Sequence, residues 1–339
     1  NVLRVGQVLR IPNAKSTPVT PLRKGESPYI FGLHDRGGEH LMGWSGRKGW
    51  VLVTEEVGAN ANDWSGRNYA DLSDQGFGVL VRINHGYNPK GTLPNSKYYA
   101  AFAKRVGNMV ERSSGCHIWI IGNEMNAGFE GNIPVANYVS CFRKCRAKIK
   151  ERLPQAEVIL GAVAPWNASQ TGIGPYPSNR QWLNYFYQAV DNLGNDCDGY
   201  AIHAYGGRGG DADPRDDNEM GFGVFYRWLE IIQGNSFAAA KPVYLTEMNH
   251  AADGERAAGV PKYDYMSGYI RKLFEAVNAY NENHGFRVKA ACWFSHSNGG
   301  FPGYNISTNS QMADDFRWAT QHMDYLNRVL SAALWNFYE

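Results

Sequence analysis

Ile118-Trp-Ile-Ile-Gly-Asn-Glu-Met-Asn126 and Pro242-Val-Tyr-Leu-Thr-Glu-Met-Asn-His250 decide the fold of this chain. Each is an apolar run of β-branched and aromatic residues that reads as a buried strand, and each finishes on a glutamate near an asparagine. A buried strand has no structural reason to end on a carboxylate, because a poorly solvated charge is strongly destabilising. Two such strands in one parallel barrel would open both carboxylates onto the same face, the one where barrel enzymes carry their sites. Glu124 and Glu247 are therefore the first candidates for a catalytic pair.

Working outward, strand-like runs alternate with amphipathic helical stretches. Strands are expected near Tyr29–His34, Trp50–Val57, Phe77–Asn84, Ile118–Asn123, Glu157–Ala164, Gly199–Ala204, Val243–Thr246 and Lys289–Phe294. Helical periodicity marks Tyr98–Glu111, Val135–Arg152, Gln181–Leu193, Phe222–Ile232, Met266–Asn281 and Phe316–Ala333. Turn signals such as Gln75-Gly76, Ser114-Gly115 and Lys241-Pro242 precede several strands. Eight strands joined by helical crossovers predict an α/β chain folded as a (β/α)8 TIM barrel over residues 29–339. A doubly wound sheet would want a glycine-rich phosphate loop after its first strand, and Phe31-Gly-Leu-His-Asp-Arg-Gly-Gly38 lacks that spacing.

Composition narrows the function classes. In 339 residues the charged fraction is 19% and the net charge +2, so nothing points to a polyanionic partner, and no basic block reads as a nucleic-acid tail. The longest apolar stretches are strand-sized, so no membrane span is expected. Five cysteines, Cys116, Cys141, Cys145, Cys197 and Cys292, match neither a disulfide framework nor a zinc spacing, and no cofactor is expected. The spacing of Cys141 and Cys145, one helical turn apart, leaves a bridge to Cys116 or Cys197 open beside the reading of buried free thiols. Oligomeric state is not written in the sequence.

Residues i and i+2 of a strand share a face. His203 and Tyr205 should project together from the sixth strand, Trp293 and Ser295 from the eighth, and Arg82 and Asn84 from the third. With Asn123 beside Glu124, these would surround a cleft suited to a sugar ring: hydrogen bonds for its hydroxyls and an aromatic plate for its apolar face. Glu55 and Glu56 close the second strand, and one of them is a candidate to face the same cleft.

Asn-Glu ending the fourth strand, Glu ending the seventh, His-x-Tyr on the sixth and Trp on the eighth resemble the retaining glycoside hydrolases of clan A. The stretches RINHGYNP, YYAAFAKRV and IWIIGNEMN look most like members of families 5 and 39, although GNEMN stands where WNEP is commoner, which leaves subfamily and substrate open. The resemblance implies a β-glycan substrate, Glu247 as nucleophile and Glu124 as acid/base. It also implies that Asn123 holds the sugar 2-substituent, that Tyr205 supports Glu247, and that Trp293 floors the subsite beside the scissile bond, with Arg82 and His203 as further site residues. Asn1-Val-Leu-Arg-Val-Gly-Gln-Val-Leu-Arg-Ile-Pro12 resembles the C-terminal end of a LysM module, followed by a linker over residues 13–28. That likeness implies a cell-envelope or secreted parent, since LysM modules bind N-acetylglucosamine-containing glycans. Two other readings stand beside the glycosidase. One is a non-catalytic carbohydrate-binding barrel. The other is a metal-dependent hydrolase built on His34, His85, His203 and His250, for which His-x-His on the first strand is missing.

Overall fold

A computed structural model describes residues 22–322 apart from 44–45, 88–89, 167–169, 207–212, 217–220, 251–264, 286 and 299–301. Eight parallel strands close into a barrel in sequence order, β1 (Phe31–His34), β2 (Trp50–Glu56), β3 (Gly78–Asn84), β4 (Ile118–Ile121), β5 (Glu157–Leu160), β6 (Gly199–Gly206), β7 (Val243–His250) and β8 (Val288–Trp293). Ladders between β1 and β8 complete the ring. The fold is the expected (β/α)8 barrel.

Helices fill the crossovers: α1 (Glu39–Gly43), α2 (Ala70–Ser73), α3 (Tyr99–Glu111), α4 (Val135–Arg152), α5 (Gln181–Leu193), α6 (Val224–Gly234), α7 (Tyr269–His284) and α8 (Ser310–His322). Strand alternation divides the core into two layers. Trp50, Leu52, Leu80, Ile118, Ile120, Ala201, Tyr244 and Cys292 fill the barrel interior. Val79, Val81, Trp119 and Ile121 point outward and pack against helical residues such as Phe102, Phe142, Phe186 and Phe274. Each such buried aromatic contributes roughly 1.5–3 kcal/mol of transfer free energy, so the two layers hold the barrel rigid beneath its mouth.

The base of the barrel is closed by residues 22–28. Gly25 accepts from the Val79 amide at 2.9 Å, and Ser27 donates to the Lys48 carbonyl at 2.6 Å. Arg23 pairs with both Glu26 and Glu157, and His117 Nε2 lies 2.9 Å from Glu26. Residues 22–28, the end of the expected linker, are bound to the barrel. The LysM-like stretch at 1–12 and the far end of the expected last helix lie outside the described residues. All five cysteines are free thiols, four of them buried and Cys116 partly so.

Candidate active site

Two local departures from strand geometry build the site. The first ends β4. After Ile121 the backbone leaves the ladder: Gly122 has φ +82° and Glu124 has φ +41°. In a straight strand Asn123 and Glu124 would face opposite sides. The left-handed turn brings both into the barrel mouth, where both line one cavity. A positive φ at a residue with a side chain is locally unfavourable and persists only where neighbours hold it. Here the Glu124 amide donates to the Ala162 carbonyl at 2.7 Å, and the Glu124 carbonyl accepts from Ala127 at 2.8 Å.

The second departure is in β7. Ile202 pairs with Leu245 but His203 pairs with Glu247, so Thr246 is an extra residue, a β-bulge. Tyr244 faces the barrel interior. Without the bulge the inward position two residues on would be Thr246. With it, Glu247 turns inward while Met248 packs in the outer layer.

Both carboxyls are almost fully buried, Glu124 at 4% and Glu247 at 5% exposure. One oxygen of each, together with His203 Nδ1, lies within 4.8 Å of the others. Their surroundings are unequal. Glu247 Oε1 accepts from Arg82 Nη1 at 2.5 Å, and Tyr205 donates its hydroxyl to Oε2. Burial works against its ionisation, but the attraction of His203 and Arg82 and the Tyr205 hydrogen bond outweigh it, so Glu247 is held well below the ordinary carboxylate range. Among the described residues the side-chain hydrogen-bond partner of Glu124 is His203, whose Nδ1 lies 2.8 Å from Oε1. There burial wins, aided by the charge of Glu247, and Glu124 is pushed upward. Tyr205, pushed far above its usual value by burial, remains a donor.

Arg82 organises the floor. Its Nη1 also donates to Asn123 Oδ1 at 2.7 Å, its Nε to Thr54 Oγ1 at 3.0 Å, and its Nη2 lies 2.9 Å from His34 Nε2. Asn123 is pinned further by its amide, which donates to Thr92 Oγ1 at 2.9 Å, while Thr92 donates to Asn84 at 2.8 Å. The cavity of about 420 Å³ is walled by Tyr87, Phe129, Trp166, Tyr205, Phe294 and Tyr304.

Arg82, Asn123, Glu124, Tyr205 and Glu247 thus meet at this cavity, as the strand ends suggested. His203 is fully buried beneath it, its Nδ1 2.8 Å from Glu124 and 3.6 Å from Glu247, and does not line the opening. Trp293 is elsewhere. It pairs with Leu33 and Met248, residues of the outer layer, and is wholly buried between sheet and helices. Its neighbour Phe294 takes the inward face. Glu55 faces away as well, bound by Arg67 at 2.9 Å and Tyr69 at 3.1 Å, and Glu56 is exposed. Of the four histidines near strand ends, only His34 and His203 reach the site; the His250 ring lies 4.1 Å from that of Tyr269.

Sequence reasoning gave no role to Glu130, Trp166, Phe294 or Tyr304. Only Phe294 carried a signal, because it follows β8 directly. The other three sit in a loop or in three-residue 3-10 turns, too short for periodicity to say which way a side chain turns.

No protein-family model matches the chain, and no curated protein matches it. Solved structures do. A family 128 (subgroup I) endo-β-1,3-glucanase from Amycolatopsis mediterranei, in complex with laminaritriose, superposes with TM-score 0.50 at 16% identity, over 86% of this chain and 99% of that one. A glucosidase from Croceicoccus marinus gives 0.58 at 15% identity, over 88% and 68%. A family 39 glycoside hydrolase from Bacteroides cellulosilyticus WH2 gives 0.55 at 16%, over 84% and 60%. At this identity the likeness is one of fold.

Proposed function

We propose that the chain is a retaining glycoside hydrolase that cleaves β-glycosidic bonds of a polysaccharide or oligosaccharide by double displacement. One observation carries the reading: two carboxyls close together in one cavity, with environments that drive their ionisation apart. A separation of about 5–5.5 Å is what retention uses, since the nucleophile must reach the anomeric carbon directly. Glu247, ionised, attacks that carbon, and the glycosidic bond breaks as protonated Glu124 gives its proton to the leaving oxygen. Glu124, now a carboxylate, takes a proton from water, whose oxygen displaces Glu247 and restores both groups. Asn123 contacts the sugar 2-substituent, and Trp166 and Phe294 supply the apolar walls that Trp293 does not.

Among similar folds, the endo-β-1,3-glucanase crystallised with laminaritriose favours a β-glucan as the first substrate to try. The LysM-like pattern at residues 1–12 favours an extracellular or cell-envelope setting.

A metal-dependent reading has one observation on its side, because Glu124, His203 and Glu247 also offer donor atoms for a divalent cation. Against it, Arg82 already sets a cation on Glu247 at 2.5 Å. The deciding experiment is hydrolysis of an aryl β-glycoside panel and of laminarin by the parent and by Glu247→Ala, each with and without a chelator. An active parent, an inactive variant and no chelator effect are expected. Equal background for parent and variant would favour a non-catalytic binding barrel. Loss on chelation, restored by a divalent cation, would favour the metal.

A further inference from the structure

The cavity holds a third carboxyl that the double displacement does not use. Glu130 ends the short 3-10 turn Gly128–Glu130 after β4 and is 4% exposed. Its backbone is fixed, since the Glu130 carbonyl accepts from the Thr92 amide at 2.9 Å. Side-chain Oε1 accepts from Asn123 Nδ2 at 3.0 Å. Glu130 lines the cavity, and its Oε2 is buried with no hydrogen-bond partner among the described residues. A buried carboxyl oxygen left unpaired is destabilising, and such a group calls for a partner, whether a water, an ion or a ligand.

Glu130 also closes a relay. Asn123 receives Arg82 on its oxygen and offers its nitrogen to Glu130, so the amide has one orientation only. Arg82 in turn holds Glu247. Glu124, Arg82, Glu247 and Tyr87 are the other titratable or charged groups that act on Glu130.

Resting on the glycosidase reading above, we propose that Glu130 binds substrate directly: Oε1 fixes the Asn123 amide, and Oε2 hydrogen-bonds a hydroxyl oxygen of the sugar unit that lies against Asn123. Burial pushes this carboxyl up to about 8, with the Asn123 hydrogen bond opposing and the charge of Glu124 adding. At neutral pH the group is therefore largely a neutral acid, and Oε2 donates its O–H to the sugar oxygen, as a carboxyl kept protonated in an apolar site can. Glutamine is then a faithful substitute. Its oxygen accepts from Asn123 and its nitrogen donates where the O–H did.

The test measures kcat and KM on the aryl β-glycoside that the parent cleaves best, for the parent, Glu130→Gln and Glu130→Leu, between pH 6 and 9. Glu130→Gln should keep the parent's KM at pH 6, and Glu130→Leu should raise it about tenfold, the loss of one hydrogen bond. Above pH 8 the parent's KM should climb as the donor is lost, while that of Glu130→Gln stays level. An active parent with the same KM in all three proteins, or the same pH trend in parent and Glu130→Gln, overturns the role of Glu130 and leaves the glycosidase reading standing. A parent that cleaves nothing in the panel overturns both. Should Glu130→Leu fail to fold, the pH comparison of parent and Glu130→Gln decides alone.

Discussion

At the scale of single residues, Glu124 and Glu247 differ by what touches them. Glu247 sits between Arg82 and Tyr205, whereas Glu124 is hydrogen-bonded, among the described side chains, to His203. The proposed double displacement needs the first ionised and the second protonated. Because Glu247 is depressed, the acid limb of the pH profile should lie below the ordinary carboxylate range. Because Glu124 is raised, the alkaline limb should lie above it, and kcat/KM against pH reports both. Glu124→Ala should keep measurable turnover of aryl glycosides with good leaving groups and lose it on glucan. Equal loss on both would contradict the acid/base role. Much of this pair was legible, since a carboxylate at the end of an apolar strand is a physical anomaly in any sequence. Trp293 was misread for the opposite reason: Val288-Lys-Ala-Ala-Cys-Trp-Phe294 has no polar alternation to say which residues face inward. Glu130 had no signal, because a glutamate in a glycine-bearing loop is ordinarily solvated.

At the scale of elements, the strands are regular where they make the barrel and irregular where they make the site. The expected fourth and fifth strands ran to Asn123 and Ala164, but the ladders stop at Ile121 and Leu160. Where they part, the Tyr138 hydroxyl from α4 donates to the Ile121 carbonyl at 2.9 Å and accepts from the Gly161 amide at 2.8 Å. Apolar runs cannot reveal such an end, because the residues past it stay buried under a helix. Tyr138→Phe leaves both backbone groups unpaired in the core, which should destabilise the protein by about 1–3 kcal/mol in urea unfolding. It should also lower kcat, since the freed strand end carries Glu124. Unchanged stability would mean that the two strands close without the tyrosine. The Thr246 bulge was equally hidden. Val243-Tyr-Leu-Thr-Glu247 has no feature that marks an extra residue, and its chemistry, not its parity, is what points Glu247 to the barrel mouth.

For the whole molecule, the two ends of the barrel divide the work. The base is sealed by residues 22–28, while the mouth gathers buried ionisable groups that are unfavourable to fold. Glu130 is raised to about 8 from an ordinary value of 4.5, and Glu124 is raised too. A carboxyl raised in the folded state contributes stability that is fully present below its unfolded value and is lost as pH rises through the folded one. Glu247, depressed, contributes stability above its unfolded value and loses it as pH falls. The melting temperature should therefore peak in mild acid and fall between about pH 5 and pH 9, with a shallower fall in Glu130→Gln. A parent and variant that melt in parallel across that range would mean that Glu130 ionises as freely folded as unfolded. The turn Gly128–Glu130 carries a last consequence. Phe129 is 47% exposed at the rim while the next residue reaches the cavity wall. Rim and wall are thus inherited together: an insertion or deletion in those three residues would change what the opening admits and what the interior holds in a single step, so breadth of substrate and grip on it cannot drift apart.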